Sequence, residues 1–235
     1  MAYLRSILFT DPAVVLATIV MGSISVAASF FDSTGRAPHR IARAWSRILL
    51  WVSGVKVRVE GLEKLDFSGS YVLVCNHLSL MDTPVVVWHV PLQFRFFAKQ
   101  SLFRIPFLGT HLRRAGHLQV IYGDPRASIK QLSMAARLIQ NLKVSILLFP
   151  EGGRSPGEIL EFKEGAAYIA IKAGVPIVPL GISGTREILP IGSVIVRPGK
   201  VRLRIGDPIL TKGLKLQDRH ELTRRLQQDV AALAV

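Results

Sequence analysis

The sequence predicts an α/β fold: a mixed sheet flanked by helices, preceded by an N-terminal pair of membrane-associated helices. Three observations point there. From residue 55 onward, short β-branched runs alternate with segments of helical periodicity, the pattern of stacked strand–helix units. Two of those runs, Tyr71 to Cys75 (YVLVC) and Val144 to Phe149 (VSILLF), are almost continuously apolar, as strands covered on both faces are. Before residue 55 there is no strand signal, only a charge-free apolar stretch and then an arginine-striped helix. The expected division is therefore an anchor over residues 1–54 and an α/β domain over residues 55–235.

Each element has its own reason. Between Asp11 and Asp32 the chain carries no charge, and Ala13 to Phe31 contains only apolar and small residues. At about 1.5 Å per residue this helix is roughly 28 Å long, close to the thickness of a bilayer core. Gly22, Ser23, Ser25 and Ser29 weaken its second half, so a full span and a half-buried or re-entrant helix both fit. A cleaved signal peptide fits less well, because Asp11 directly precedes the apolar run and only Arg5 supplies a positive flank. Next, Arg36, Arg40, Arg43 and Arg47 recur at helical intervals, and so do Ile41, Trp45, Ile48 and Val52. At ~100° per residue the two stripes lie roughly 140° apart. That suits an interfacial helix with arginines toward lipid phosphates and Trp45 and Trp51 at the boundary. The alternative is a packing helix with a solvated basic face. If the first segment spans, the arginines that follow it put the rest of the chain on the cytoplasmic side.

In the body, Val55 to Glu60 alternates apolar and charged residues, as a half-buried strand does. Thr83 to Val90 reads as a helix stopped by Pro91, and Leu92 to Ala98 and Leu118 to Tyr122 as strands. Ala127 to Asn141 and Glu164 to Ala173 read as helices, the second closed by Gly174, and Ile177 to Gly181 as a further strand. Val194 to Arg197 and Val201 to Ile205 are expected to form a hairpin around Pro198-Gly199, and Leu216 to Leu233 a last helix. Functional residues are expected where loops leave the carboxyl ends of the buried strands.

Composition narrows the class of partner. The 235 residues include 30 Lys and Arg against 16 Asp and Glu, a net charge of +14, yet 49% are hydrophobic. The pI is near 10.6 and the mean hydropathy +0.35. Such an apolar chain is not disordered, and it lacks the charge density of a histone-like nucleic-acid binder. A basic and apolar protein suits an anionic and apolar partner, which a membrane surface is. The single Cys75 excludes an intramolecular disulfide and a Cys-rich zinc site, and fits a reducing compartment.

Two polar loops follow buried strands. In Asn76-His77-Leu78-Ser79-Leu80-Met81-Asp82, His77 leaves the strand and Asp82 lies five residues on. A carboxylate there can bind one imidazole nitrogen, fix the tautomer and make the other nitrogen a general base. The other reading of His77 is an ordinary loop histidine. In Phe149-Pro150-Glu151-Gly152-Gly153-Arg154-Ser155, glycines allow close backbone approach to a ligand, and Arg154 can hold a phosphate bidentately. A plain turn is equally compatible with this loop alone. It is not a Walker loop, because the Gly-Lys-Ser/Thr is absent.

Taken together, in order and spacing, the two loops resemble the conserved blocks of the glycerolipid acyltransferase superfamily, most closely the bacterial lysophosphatidic acid acyltransferases. Val175-Pro176-Ile177-Val178-Pro179-Leu180 is similar to a further apolar block. Phe162-Lys163-Glu164-Gly165 and Lys99-Gln100-Ser101-Leu102-Phe103 also fit, so the resemblance runs from about Tyr71 to Leu180. It implies that His77, oriented by Asp82, deprotonates a lysolipid hydroxyl, which attacks the thioester of acyl-CoA or acyl carrier protein. It further implies that Glu151, Gly152, Gly153 and Arg154 bind the acceptor headgroup with help from Lys99. Asn76 is expected to orient His77 or donate to the oxyanion, Ser79 to cap the next helix, and Ser155 to shape its loop. No cofactor and no metal are expected: acyl-CoA or acyl carrier protein is a co-substrate. The partners implied are lysophosphatidic acid or a related lysolipid and membrane lipid, at the cytoplasmic face of a membrane.

One departure stands out. The family usually places Asp-Arg after Gly-x-x-x-Val, and its arginine is implicated in gripping the acceptor phosphate. Here Ile121 and Tyr122 follow Gly116-His117-Leu118-Gln119-Val120. Either Arg113, Arg114 or Arg126 supplies the charge from elsewhere, or the acceptor lacks a phosphate monoester, as a lyso-aminolipid does. Thr83 to Gly123 holds Arg95, Lys99, Arg104, Arg113 and Arg114 and no acidic residue, which favours the first. Phe94, Phe96, Phe97 and Phe103 interleave with these cations. Their apolar neighbours suit an acyl or membrane-facing groove better than a nucleic-acid surface, so no nucleic-acid partner is expected.

Overall fold

A computed structural model describes residues 2–235. Seven strands form one sheet: β1 (Val55–Glu60), β2 (Val72–Cys75), β3 (Phe94–Lys99), β4 (Leu118–Val120), β5 (Ser145–Leu148), β6 (Ile177–Ser183) and β7 (Gly199–Ile205). Their spatial order is β1-β7-β6-β2-β5-β3-β4. Only β6 and β7 run antiparallel, so the sheet is mixed, as the sequence predicts. The helices are α1 (Ala2–Arg5), α2 (Asp11–Ala28), α3 (Arg36–Ser53), α4 (Asp82–His89), α5 (Leu108–Arg114), α6 (Pro125–Leu142), α7 (Gly165–Ala173), α8 (Thr185–Ile188) and α9 (Arg219–Leu233). A π-helical turn, Ser6–Thr10, joins α1 to α2.

The central strands are apolar because both faces are covered. Along β2, Leu73 and Cys75 enter a core shared with Val85, Val86 and Val87 of α4. Val72 and Val74 enter the opposite core, with Ile139 of α6, Ile169 of α7 and Leu226 and Val230 of α9. All four β2 side chains are fully buried. At about 1.5–3 kcal/mol per large apolar side chain, these two layers dominate the stabilisation of the sheet.

The connections place the site. From β2 the chain crosses through α4 to β3, beyond β5. From β5 it crosses through α7 to β6, on the other side of β2. The adjacent parallel strands β2 and β5 thus send their connections in opposite directions, which opens a crevice between their carboxyl ends. Both polar loops start there.

The C-terminal hairpin does not form. Only Gly199–Ile205 is a strand, paired parallel with β1 and antiparallel with β6. In the preceding segment each donor is taken individually: Ile195 N–H by Ser193 Oγ, Val196 N–H by Ser6 Oγ, and Arg197 N–H by the Ile188 carbonyl. Pro198 has no N–H to offer a ladder.

The helices α2 and α3 form a hairpin whose outer helix is tied to the body at both ends. At one end Ser6 accepts the Val196 N–H of the body at 2.8 Å, while Arg5 donates to the Val52 carbonyl of α3 at 3.0 Å. At the other, Arg114 binds the Ser29 hydroxyl and carbonyl at 2.6 and 3.0 Å, and Ser25 lies 2.7 Å from His111 Nδ1. Against the body α3 uses a third face. Its buried face, with His39, Ser46, Leu49 and Leu50, belongs to neither stripe, and α3 packs against α4. Trp45 donates its indole N–H to Thr18 of α2 at 3.1 Å. Trp51 remains 80% exposed.

Candidate active site

His77 follows β2 by two residues, and Asp82 opens α4, where the positive end of the helix favours a carboxylate. His77 Nδ1 lies 2.7 Å from Asp82 Oδ2. The same oxygen accepts the backbone N–H groups of Leu78 at 2.7 Å and Ser79 at 2.8 Å. Asp82 is fully buried, and its other oxygen has no hydrogen-bond partner among the described residues. An acceptor at Nδ1 assigns the imidazole proton to that nitrogen and leaves Nε2 with its lone pair. The ring stacks on Phe149 of the second loop at 4.2 Å between centroids. His77 and Asp82 thus stand together, and Nε2 makes no hydrogen bond among the described residues.

The second loop is sewn onto the first. Ser155 N–H donates to the His77 carbonyl at 2.7 Å, and the Ser155 hydroxyl binds the Glu158 carbonyl and the Gly157 N–H, so Ser155 shapes the loop. Gly152 has φ of 74°, and a Cβ there would come within 2.7 Å of Lys163 Nζ, which explains the glycine. At Gly153 a Cβ would meet nothing within 4 Å. Arg154 is half-buried, and among the described residues its guanidinium makes no hydrogen bond or ion pair. Lys99 is exposed at the carboxyl end of β3, the strand beside β5, and so stands on the same edge of the sheet.

Three expected roles change. Glu151 does not face a headgroup: it is 6% exposed, Oε1 accepts the His77 N–H at 2.6 Å, and Oε2 accepts the Leu160 N–H at 2.9 Å. Burial pushes its carboxyl above the usual range, against the pull of those two bonds. Asn76 is not an oxyanion donor. Its amide pairs with the Ile182 backbone, accepting at 2.8 Å and donating at 3.0 Å, and is 1% exposed. It locks the start of the loop to β6. Ser79 makes no helix cap: its hydroxyl donates to the Leu189 carbonyl at 2.8 Å and accepts the Met81 N–H. Cys75 is fully buried and its thiol is pushed up, first by burial and then by the nearby carboxylates, which fits packing.

The acid-free basic stretch also divides. Arg95 is 1% exposed and binds the carbonyls of Phe94 and Thr34. Arg113 binds the Phe103 carbonyl, and Arg114 binds Ser29 and stacks on Phe30 at 3.8 Å. These arginines hold the helix hairpin and α5 and do not supply the site with charge. Sequence reasoning missed three residues beside the loop: Lys163, Tyr122 and Arg186. The Tyr122 hydroxyl donates to the Gly152 carbonyl at 2.9 Å, and Lys163 Nζ stands 5.3 Å from the centre of the Tyr122 ring. Arg186 Nη1 closes over Gly157, where a Cβ would collide with it. The block around Lys163 was visible in the sequence; its approach to Gly152 was not.

Known proteins are similar to this chain in sequence and fold. A family model described as "Acyltransferase" matches residues 56–183. The chain is 34% identical over 213 residues to the chloroplastic 1-acyl-sn-glycerol-3-phosphate acyltransferase LPAT1 of Arabidopsis thaliana, covering 88% of this chain and 59% of that one. It is 32% identical over 166 residues to the enzyme of that name from Cocos nucifera, covering 70% of this chain and 53% of the other. The chain thus spans somewhat over half the length of these relatives. The crystal structure of the 1-acyl-sn-glycerophosphate (LPA) acyltransferase PlsC from Thermotoga maritima superposes with a TM-score of 0.82 at 29% identity, covering 99% of this chain and 95% of that one. Since the matched segment takes in more than half of the sequence and both loops that meet at His77, the chain belongs to the acyltransferase family.

Proposed function

We propose that the protein is a 1-acylglycerol-3-phosphate O-acyltransferase acting at a membrane surface. The observation that carries this reading is the His77–Asp82 pair beside a glycine loop bearing an unpaired arginine. His77 Nε2 takes the proton of the acceptor hydroxyl. The oxygen attacks the thioester carbonyl of acyl-CoA or acyl carrier protein, the ester C–O bond forms, and the C–S bond breaks. The thiolate leaves and takes up the proton from His77, which restores the base. No acyl-enzyme is needed, because the thioester is already activated and the acceptor attacks it directly. A phosphate-bearing acceptor is favoured over a lyso-aminolipid by the cations around the loop and by the names of the relatives.

The experiment is acyl transfer from labelled acyl-CoA or acyl carrier protein to a panel of lysolipids. Product with lysophosphatidic acid supports the reading; product with a lyso-aminolipid alone, or none at all, overturns it. Arg154→Ala is expected to raise the KM for lysophosphatidic acid about tenfold or more, with kcat changed less, because it removes a charge-assisted contact to the headgroup. Equal KM values for the variant and the unaltered protein would move the headgroup site elsewhere.

The membrane reading rests on the apolar helix. Tyr3–Ala28 covers 26 residues, roughly 39 Å, and only 6% of its most apolar window is buried. Because both of its ends bind the same α/β body, it lies along that body and not away from it. A helix held so enters one leaflet and does not cross. The thioester donors are cytosolic compounds, which puts the working surface on the cytoplasmic face. The exposed Trp51 provides the readout: adding anionic vesicles is expected to shift tryptophan emission to the blue, and Trp51→Phe to remove most of the shift. An unchanged shift in that variant would take the end of α3 out of the interface.

A further inference from the structure

We infer that Lys163, held over the Tyr122 ring, is a phosphate-gripping and acceptor-specifying residue of this site. The inference deepens the proposed function, since it rests on an acceptor that carries a phosphate monoester.

The carboxyl edge of the sheet lays out the parts in order. Past β2 stands His77, past β5 the glycine loop, at the end of β3 Lys99, and past β4 Tyr122. Tyr122 reaches back across β3 to donate its hydroxyl to the Gly152 carbonyl at 2.9 Å. It thereby clasps the glycine loop to the β4 end of the sheet. Lys163 approaches the same loop, anchored where its backbone N–H donates to the Pro150 carbonyl at 3.0 Å. Its ammonium stands over the Tyr122 ring at 5.3 Å, so closely above Gly152 that a Cβ there would lie 2.7 Å from Nζ. The ring attracts the ammonium through its π face and fixes its position without neutralising it.

The ammonium has charge left over. Among the described residues Lys163 makes no ion pair, and neither does Arg154 on the same loop. The one buried carboxylate here, Glu151, has both oxygens taken by backbone N–H groups. Glu158 and Glu161 are exposed nearby, and neither pairs with Lys163. Three ammonium protons and a guanidinium fork beside a glycine loop suit a dianionic phosphate monoester better than a phosphodiester. Because the loop is bound to the His77 carbonyl through Ser155, a phosphate gripped at Lys163 positions the rest of the acceptor against the base. Tyr122 is thereby a positioning residue, acting through Lys163 and through Gly152.

The test is steady-state kinetics on the full chain with lysophosphatidic acid, with inorganic phosphate as competitor. Lys163→Ala is expected to raise KM about tenfold and to raise the inhibition constant of phosphate in parallel, with kcat changed less than threefold. Lys163→Arg should recover most of both, and Tyr122→Leu should raise both by a smaller factor. A purely structural role would not move the phosphate inhibition constant. Unchanged KM and inhibition constant in Lys163→Ala, or a loss confined to kcat, would overturn the assignment. If the unaltered protein acylates only a lysolipid without a phosphate monoester, the proposed acceptor fails instead; phosphate inhibition in that reaction still tests Lys163, and failure to inhibit would overturn it too.

Discussion

Replacing His77 by Ala is expected to lower kcat by about 10²- to 10⁴-fold, the usual contribution of a positioned general base. The arrangement around the ring explains why no neighbour substitutes. Asp82 is fully buried and directs its Oδ2 at Nδ1, so it has no free path to the acceptor hydroxyl. Ser79 and Ser155 spend their hydroxyls on backbone groups. The fold should survive, because the His77 side chain is 17% exposed and its backbone bonds to Glu151 and Ser155 do not involve the ring. Vesicle binding should also be unaltered, since the apolar helix is elsewhere. The check is acyl transfer and vesicle sedimentation on the same preparation. Activity within a factor of about ten of the unaltered protein would remove His77 as the base.

Glu151→Ala is expected to damage both stability and catalysis. Its carboxylate accepts N–H groups from His77 and from Leu160, one in each loop, inside a nearly closed environment. Truncation leaves two backbone donors unsatisfied at about 1–3 kcal/mol each, so a loss of about 2–6 kcal/mol follows. For a chain of this size that is a fall in Tm on the order of 5–25 °C. Glu151→Gln should recover only part, because one end of the amide is a donor and faces a donor. The kcat should fall too, since the His77 backbone is no longer held against the glycine loop. Thermal unfolding followed by circular dichroism, beside the acyl-transfer assay, measures both; an unchanged Tm with a raised KM would return Glu151 to the headgroup.

That reassignment shows what the sequence hides. Position 151 reads as a charged residue in a polar loop, and a charged loop residue invites a ligand. Only the fold reveals that the loop after β5 lies on the loop after β2, where two N–H groups converge on one carboxylate. Asn76 is similar: its partner is Ile182, 106 residues along the chain. Neither distance has any local sequence signal. The hairpin expected at Pro198-Gly199 failed for a related reason, since the partners of β7 are β1 and β6 and not the segment 194–197 just before it.

The His77–Asp82 pair was legible because it is local. Five residues that leave a strand and enter a helix keep the carboxylate within reach of the imidazole. The resemblance of the two loops to the acyltransferase blocks singles this histidine out from an ordinary loop residue. The buried strands were legible for an equally local reason, since a strand covered on both faces must be apolar at successive positions. Periodicity likewise marked α6, α7 and α9 to within a few residues. What the sequence determined by itself is thus the α/β alternation, the amphipathic α3 and the pairing of His77 with Asp82. The tertiary structure alone decided how the charge is used. It turned Arg95 and Arg114 into ties for the helix hairpin, spent Arg113 on the Phe103 carbonyl, and brought Lys163 and Tyr122 together at the glycine loop. It also laid the apolar helix along the body. A cation looks the same in a sequence whether it ends on a carbonyl or faces open space, and only long-range packing sets which of the two it meets.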